Sequence, residues 1–352
     1  HREGDIRAQA GKLLGHVIAR FNAGYRKERP ADMPDIAEAR VMELWNEYLE
    51  MIIRPDHKLT VQQKRRIRYN LKVVLDSVVE YAGAADFHHF LHAFLKWYER
   101  GEELEPGEAF VLLDTVHFMP FELFSEEELG RVGRFAIYEA DSKEAEVRIA
   151  AWRAFKLITA YQPSHPCCKD IAECVMETTV EGDITMTFLQ YRVLNNLGYD
   201  TELQQKALYD RDVVSDIFLD NLKTSTPWII KAVNIKLLVD QIDHGKYEHI
   251  LHIAAHFSNL IKVSEHVVVR HDAGHALLRI IELLTPDQRN EISVELVKGL
   301  EVGEYEFSKY IPRYLGEVAL WLPTEQLDEI LVYLSSLMAS PNDRIVSVAL
   351  DT

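Results

Sequence analysis

The chain has 352 residues, 47% hydrophobic and 27% charged, which exceeds the usual size of one compact core and implies two domains or one elongated array folded throughout. Its 39 Lys and Arg stand against 56 Asp and Glu, a formal net charge of -17; that field repels polyphosphate backbones and anionic lipid surfaces, so neither nucleic acid nor membrane is an expected partner. Three cysteines make no disulfide framework and imply a reducing, cytoplasmic compartment, and no apolar run reaches the roughly 18 to 20 residues of a membrane span.

Strand signals are nearly absent, while apolar residues recur at i, i+3, i+4 and i+7 almost everywhere, so the expected fold class is all-α. Asp5 to Met51 and Thr60 to Arg100 predict helical pairs of irregular spacing, which sets residues 1–105 apart from the more regular 106–352. The second of these carries the basic run "KRRIR" (Lys64, Arg65, Arg66, Arg68), a solvated helix face that can dock an acidic segment. It also carries "ADFHHFLHAFLKWYER", where His88, His89 and His92 precede Trp97 and Tyr98.

Beyond Pro106, first helices are expected to open near Lys143, Asp183, Thr226, Ser264, Tyr305 and Asn342, a repeat of about 40 residues. Each interval holds two helical stretches parted by a break such as "YQPSHP", "DHGK", "LTPDQ" or "WLPTEQ", where Pro or Gly punctuates. Capping boxes are expected at Thr60 to Gln63, Ser125 to Glu128 and Thr285 to Gln288, the last with Pro286 at the first helical position. The chain opens on His1 and stops inside the helical pattern "NDRIVSVALDT", which reads as a fragment of a longer protein or a trimmed form.

Within the first helices one pattern returns: "EVRIAAWRAFKLI" (Glu146 to Ile158), "IIKAVNIKLLVDQI" (Ile229 to Ile242), "VVRHDAGHALLRII" (Val268 to Ile281) and "IPRYLGEVALWL" (Ile311 to Leu322). An aliphatic residue, then Arg or Lys, then small residues, then an aliphatic run resembles the HEAT-like (armadillo-type) α-helical repeats. That resemblance implies a right-handed α-solenoid, a HEAT-like superhelix of about eight helical pairs running as a single array over residues 1–352. It implies a protein-protein interaction scaffold or regulatory binding module whose concave groove, lined by second helices, takes a protein or peptide and needs no cofactor. By the same resemblance the groove would be lined by His88, His89, His92, Trp97, His249, His252 and His256.

Several local patterns point to chemistry and have bland readings beside them. In "KYEHILHIAAHFSNLI", His249, His252 and His256 share one edge of the apolar face made by Ile250, Ile253, Phe257 and Leu260. Such a stripe can hold a metal or titrate near neutrality, and it is also what a partly exposed second helix carries. His271, Asp272 and His275 form H-D-x-x-H, close to the zinc signature H-E-x-x-H, with Glu291 or Glu295 as a third ligand further on. The same letters suit an HD-type phosphohydrolase with upstream His249, His252 or His256. A metal-dependent hydrolase, or a segment of a larger multidomain enzyme, is therefore the alternative. Against it, Asp is shorter than the expected Glu base, and the repeat pattern already demands a helix here with Arg270 and Ala273 in register. "SHPCCKDIAEC" holds His165, Cys167, Cys168 and Cys174 without C-x-x-C spacing, so buried thiols are the simpler reading. A DNA glycosylase built on such repeats would need a basic groove, which the charge balance opposes. No phosphate-binding glycine loop, nucleophile elbow or kinase motif set is present.

Overall fold

The computed structural model describes residues 38–54, 71, 73–75, 84–209, 220–223, 225–245, 249–302 and 305–352. Among the described residues the chain is all-helical, with no strand and no helix long and apolar enough to cross a membrane. The predicted cap at Thr60 and the basic run at Lys64 to Arg68 lie outside the described residues. The chain divides into two compact units, His1–Thr201 and Glu202–Thr352.

In the first unit the helices are α1 (Glu38–Ile53), α2 (Ala84–Leu95, continued by a 3-10 segment, Lys96–Glu103), α3 (Pro106–Thr115), α4 (Glu126–Glu139), α5 (Ala145–Tyr161), α6 (Cys167–Glu177) and α7 (Ile184–Asn196). Each packs on the helix two places along: α1 on α3, α3 on α5 and α5 on α7 form one row, and α2 on α4 and α4 on α6 form a second. Contacts of α4 with α5 and of α6 with α7 join the rows. The second unit has α8 (Glu202–Tyr209), α9 (Trp228–Asp243), α10 (Ile250–Val263), α11 (Val267–Ile280), α12 (Pro286–Val302), the single turn α13 (Tyr305–Ser308), α14 (Ile311–Ala319), α15 (Thr324–Leu337) and α16 (Asp343–Asp351). There α9, α11, α14 and α16 succeed one another in one row, and α10, α12 and α15 in the other.

Sequence explains how much of each helix is covered. The α5 helix sits against α3, α4 and α7 and buries Val147, Ile149, Ala150, Ala151, Trp152, Ala154, Phe155 and Ile158, most of its circumference. By contrast α15 buries Ile330, Leu334 and Leu337, a single stripe at i, i+4 and i+7. Small residues set the spacing of the rows. A Cβ on Gly274 of α11 would meet the Tyr314 ring at 2.2 Å, so only glycine lets α14 come that close.

The basic residue of the repeated pattern has a structural task. Arg148 donates from Nη1 to the Ser142 carbonyl at 2.7 Å, and Arg270 donates from Nε to the Ser264 carbonyl, in both cases six residues back at the entry to the helix. Arg270 is buried; it also donates to the Phe307 carbonyl at 3.3 Å and lies over the Phe307 ring at 4.3 Å. Charge-assisted bonds to carbonyls that a helix entry leaves open offset the cost of burying the guanidinium. Lys231 is buried at the same register, whereas Arg313 is exposed.

Helix boundaries agree with the sequence to within a few residues, with first helices opening at Ala145, Ile184, Trp228, Val267 and Asp343. Near Tyr305 the expected opening splits into α13 and α14, because Pro312 restarts the helix in its first turn. Ser125 and Glu128 form the reciprocal capping box, as do Thr285 and Gln288. Glu105 and Glu108 add a third that the sequence pattern did not flag, since Glu is an uncommon N-cap.

Candidate functional site

Two of the three histidines on α2 are drawn into contacts with α4. His88 on α2 reaches α4, with Nδ1 2.8 Å from Glu128 Oε2, and Glu128 is itself held by the Ser125 cap. His92, one turn on, has Nδ1 3.0 Å from Arg131 Nη1, and Arg131 also pairs with Glu99. Trp97 is buried, with the Arg100 guanidinium 3.7 Å and that of Arg54 5.2 Å from its ring centroid. His89 is exposed, with Phe90 edge-on at 6.1 Å. Three of these four residues thus tie neighbouring helices together.

The His271 motif is likewise built into a helix contact. His271 Nδ1 lies 2.7 Å from the Tyr314 hydroxyl on α14, and the Tyr310 ring meets the imidazole edge-on at 5.8 Å. Burial, then the nearby His275, then Arg313 hold its pKa below the ordinary imidazole value. Tyr314 is pushed the other way, chiefly by burial. Asp272 faces Lys236 of α9 at 3.6 Å, and His275 is exposed at a ring separation of 6.3 Å from His271. Glu295 is engaged by Lys262 at 3.0 Å and Lys298 at 2.9 Å, and Glu291 is exposed. The structure therefore does not bring a third ligand to His271 and His275. Among the described residues no group of three or more His, Cys, Asp or Glu side chains is placed to hold a metal ion.

His252 and His256 on α10 behave differently. Their ring centroids stand 4.9 Å apart, and neither ring has a hydrogen-bond partner among the described residues. His256 is half-buried beside Ile253, Phe257 and Leu260, and burial first, His252 second, lowers its pKa, so the neutral imidazole is favoured. His249 is exposed at the helix entry, outside this pair.

Cys167 and Cys168 are buried free thiols and Cys174 is partly so. His165 Nδ1 accepts from the Cys167 amide at 3.1 Å and lies 2.9 Å from Cys167 Sγ, while Nε2 meets the Glu126 carbonyl at 2.8 Å. With both ring nitrogens engaged, His165 is a core tie between α6 and the start of α4. The hydrogen bond shared with Cys168 and burial push the Cys167 thiol up, which keeps it protonated.

The residues that sequence reasoning missed are Tyr310, Tyr314, Glu128 and Arg131, partners contributed by the next helical pair. One signal for Tyr314 was present: it follows Arg313 as His271 follows Arg270, so equal register in successive first helices brings the two together.

No family model matches the chain, and no curated protein matches it. Among the solved structures that match, the crystal structure of an engineered protein aligns with 99% of this chain and 94% of its own at 16% identity and a TM-score of 0.34. At that score the likeness carries no argument about fold or function.

Proposed function

We propose that this chain is a HEAT-like right-handed α-solenoid that serves as a binding scaffold or regulatory module for a protein or peptide. The observation that carries the reading is the helix contact pattern: within each unit the helices fall into two rows in which each meets the next of its row, and Arg148 and Arg270 of the repeated pattern return to the entry of their own helices. Stacked hairpins of this kind present long continuous faces, and a specific protein interface needs on the order of 800 Å² per partner. The second unit leaves large apolar side chains in solvent on its last elements, with Leu320 at 80%, Val332 at 71% and Leu350 at 66% exposure. A contiguous apolar surface formed by such side chains would suit a protein partner. A reducing cytoplasmic setting agrees with three unpaired cysteines.

The test is a partner captured by the full chain and then challenged with variants. Val332→Asp on α15 is expected to lose the partner while Lys169→Ala on α6, at an exposed side chain outside the groove set, retains it. Phosphoester hydrolysis that requires His271 and Asp272, measured with manganese or zinc supplied, would replace the scaffold reading with the hydrolase one.

A further inference from the structure

We propose that His252 and His256 form a two-imidazole site for a borderline divalent transition cation of the zinc, nickel or copper(II) class, on the exposed side of α10. The proposal goes beyond the binding role above and does not depend on it. Spacing comes first: residues four apart on a helix share a face, which is the arrangement by which helices offer two imidazoles to one ion. Distance then separates this pair from the other i, i+4 pair in the unit. A metal bound through ring nitrogens at about 2.0–2.1 Å with a ligand angle between square and tetrahedral puts the ring centroids roughly 4.5 to 5.2 Å apart. The His252 and His256 centroids stand at 4.9 Å, inside that interval; those of His271 and His275 stand at 6.3 Å, outside it.

The donor atoms at the pair are available as well. A ligating imidazole must be neutral and must turn a lone pair to the ion. Both nitrogens of His165 are engaged, while His271 and His88 each have Nδ1 held, by Tyr314 and Glu128, and keep Nε2. His252 and His256 have no such partner among the described residues. His256 is half-buried against the apolar core, a setting that restricts its rotamers before a cation arrives. Imidazole pairs suit zinc, nickel and copper rather than magnesium or calcium, which take oxygen ligands. With two protein ligands the remaining positions fall to water or to a group brought by a partner, so the site is weaker than a closed structural one.

The experiment is calorimetric titration of the untagged full chain with zinc chloride and, separately, nickel chloride. The expected result is one site whose affinity falls about tenfold or more in H252Q and in H256Q and is unchanged in H275Q. Since His252 is exposed, H252Q is expected to melt with the wild type, and it carries the test alone if H256Q melts early. The proposal is overturned if H252Q binds as the wild type does, if H275Q loses the site, or if no uptake is measured at about 1 mM cation.

Discussion

Two histidine pairs with the same i, i+4 spacing sit on successive helices of the second unit, and they are put to opposite use. On α11, His271 is pinned by Tyr314 across a contact that Gly274 makes close, with Arg270 buried one residue earlier against Phe307. On α10, His252 and His256 have no hydrogen-bond partner among the described residues and lie beside an apolar face. A spacing motif on a helix therefore reports a shared face and nothing about what the next helix does with it. In α11 the first-helix row places α14 directly over the motif; in α10 the buried stripe lies to one side of the pair.

Substitutions in the pinned region are expected to act on stability. Arg270→Ala should have the largest effect, about 3 kcal/mol by chemical denaturation, because it strips the carbonyls of Ser264 and Phe307 of a buried donor and removes packing from Phe307. The matching Arg148→Ala should cost about 1 kcal/mol, since Arg148 is only half-buried and makes one such bond. Gly274→Ala falls between them at about 1–3 kcal/mol, as the Tyr314 ring must move off α11. Tyr314→Phe keeps the packing and loses the bond to His271, an effect of about 1 kcal/mol.

Acid sharpens the comparison further. His271 and His256 both have folded pKa values below the ordinary imidazole value of about 6.5. The unfolded chain therefore takes up protons first as pH falls through that value. Stability is full above it and declines below it, and His271→Gln should flatten the decline in a denaturation series across pH. The smallest effect belongs to the α10 pair, where H252Q should change stability by less than about 0.5 kcal/mol while weakening cation binding about tenfold or more.

Much of the helical architecture was legible because its causes are local. Apolar period, the Pro and Gly breaks, and the boxes at Ser125 and Thr285 act within one helix or one turn, and the structure has them where the sequence puts them. The partners of candidate residues were not legible, because Glu128, Arg131 and Tyr314 lie roughly one repeat away from His88, His92 and His271, and reach them through packing between helical pairs. The equal register of Arg270 and Arg313 was the available clue. The division at Thr201 into two units has no Pro or Gly-rich linker to announce it, and the repeat spacing passes through it.

The stacked-hairpin reading meets its most direct test in small-angle X-ray scattering from the monomer in solution. A single compact globule of this length has a radius of gyration of about 20 Å. An array of helical pairs predicts a value clearly above that, with an extended, asymmetric distance distribution; a value near 20 Å with a symmetric distribution would contradict it.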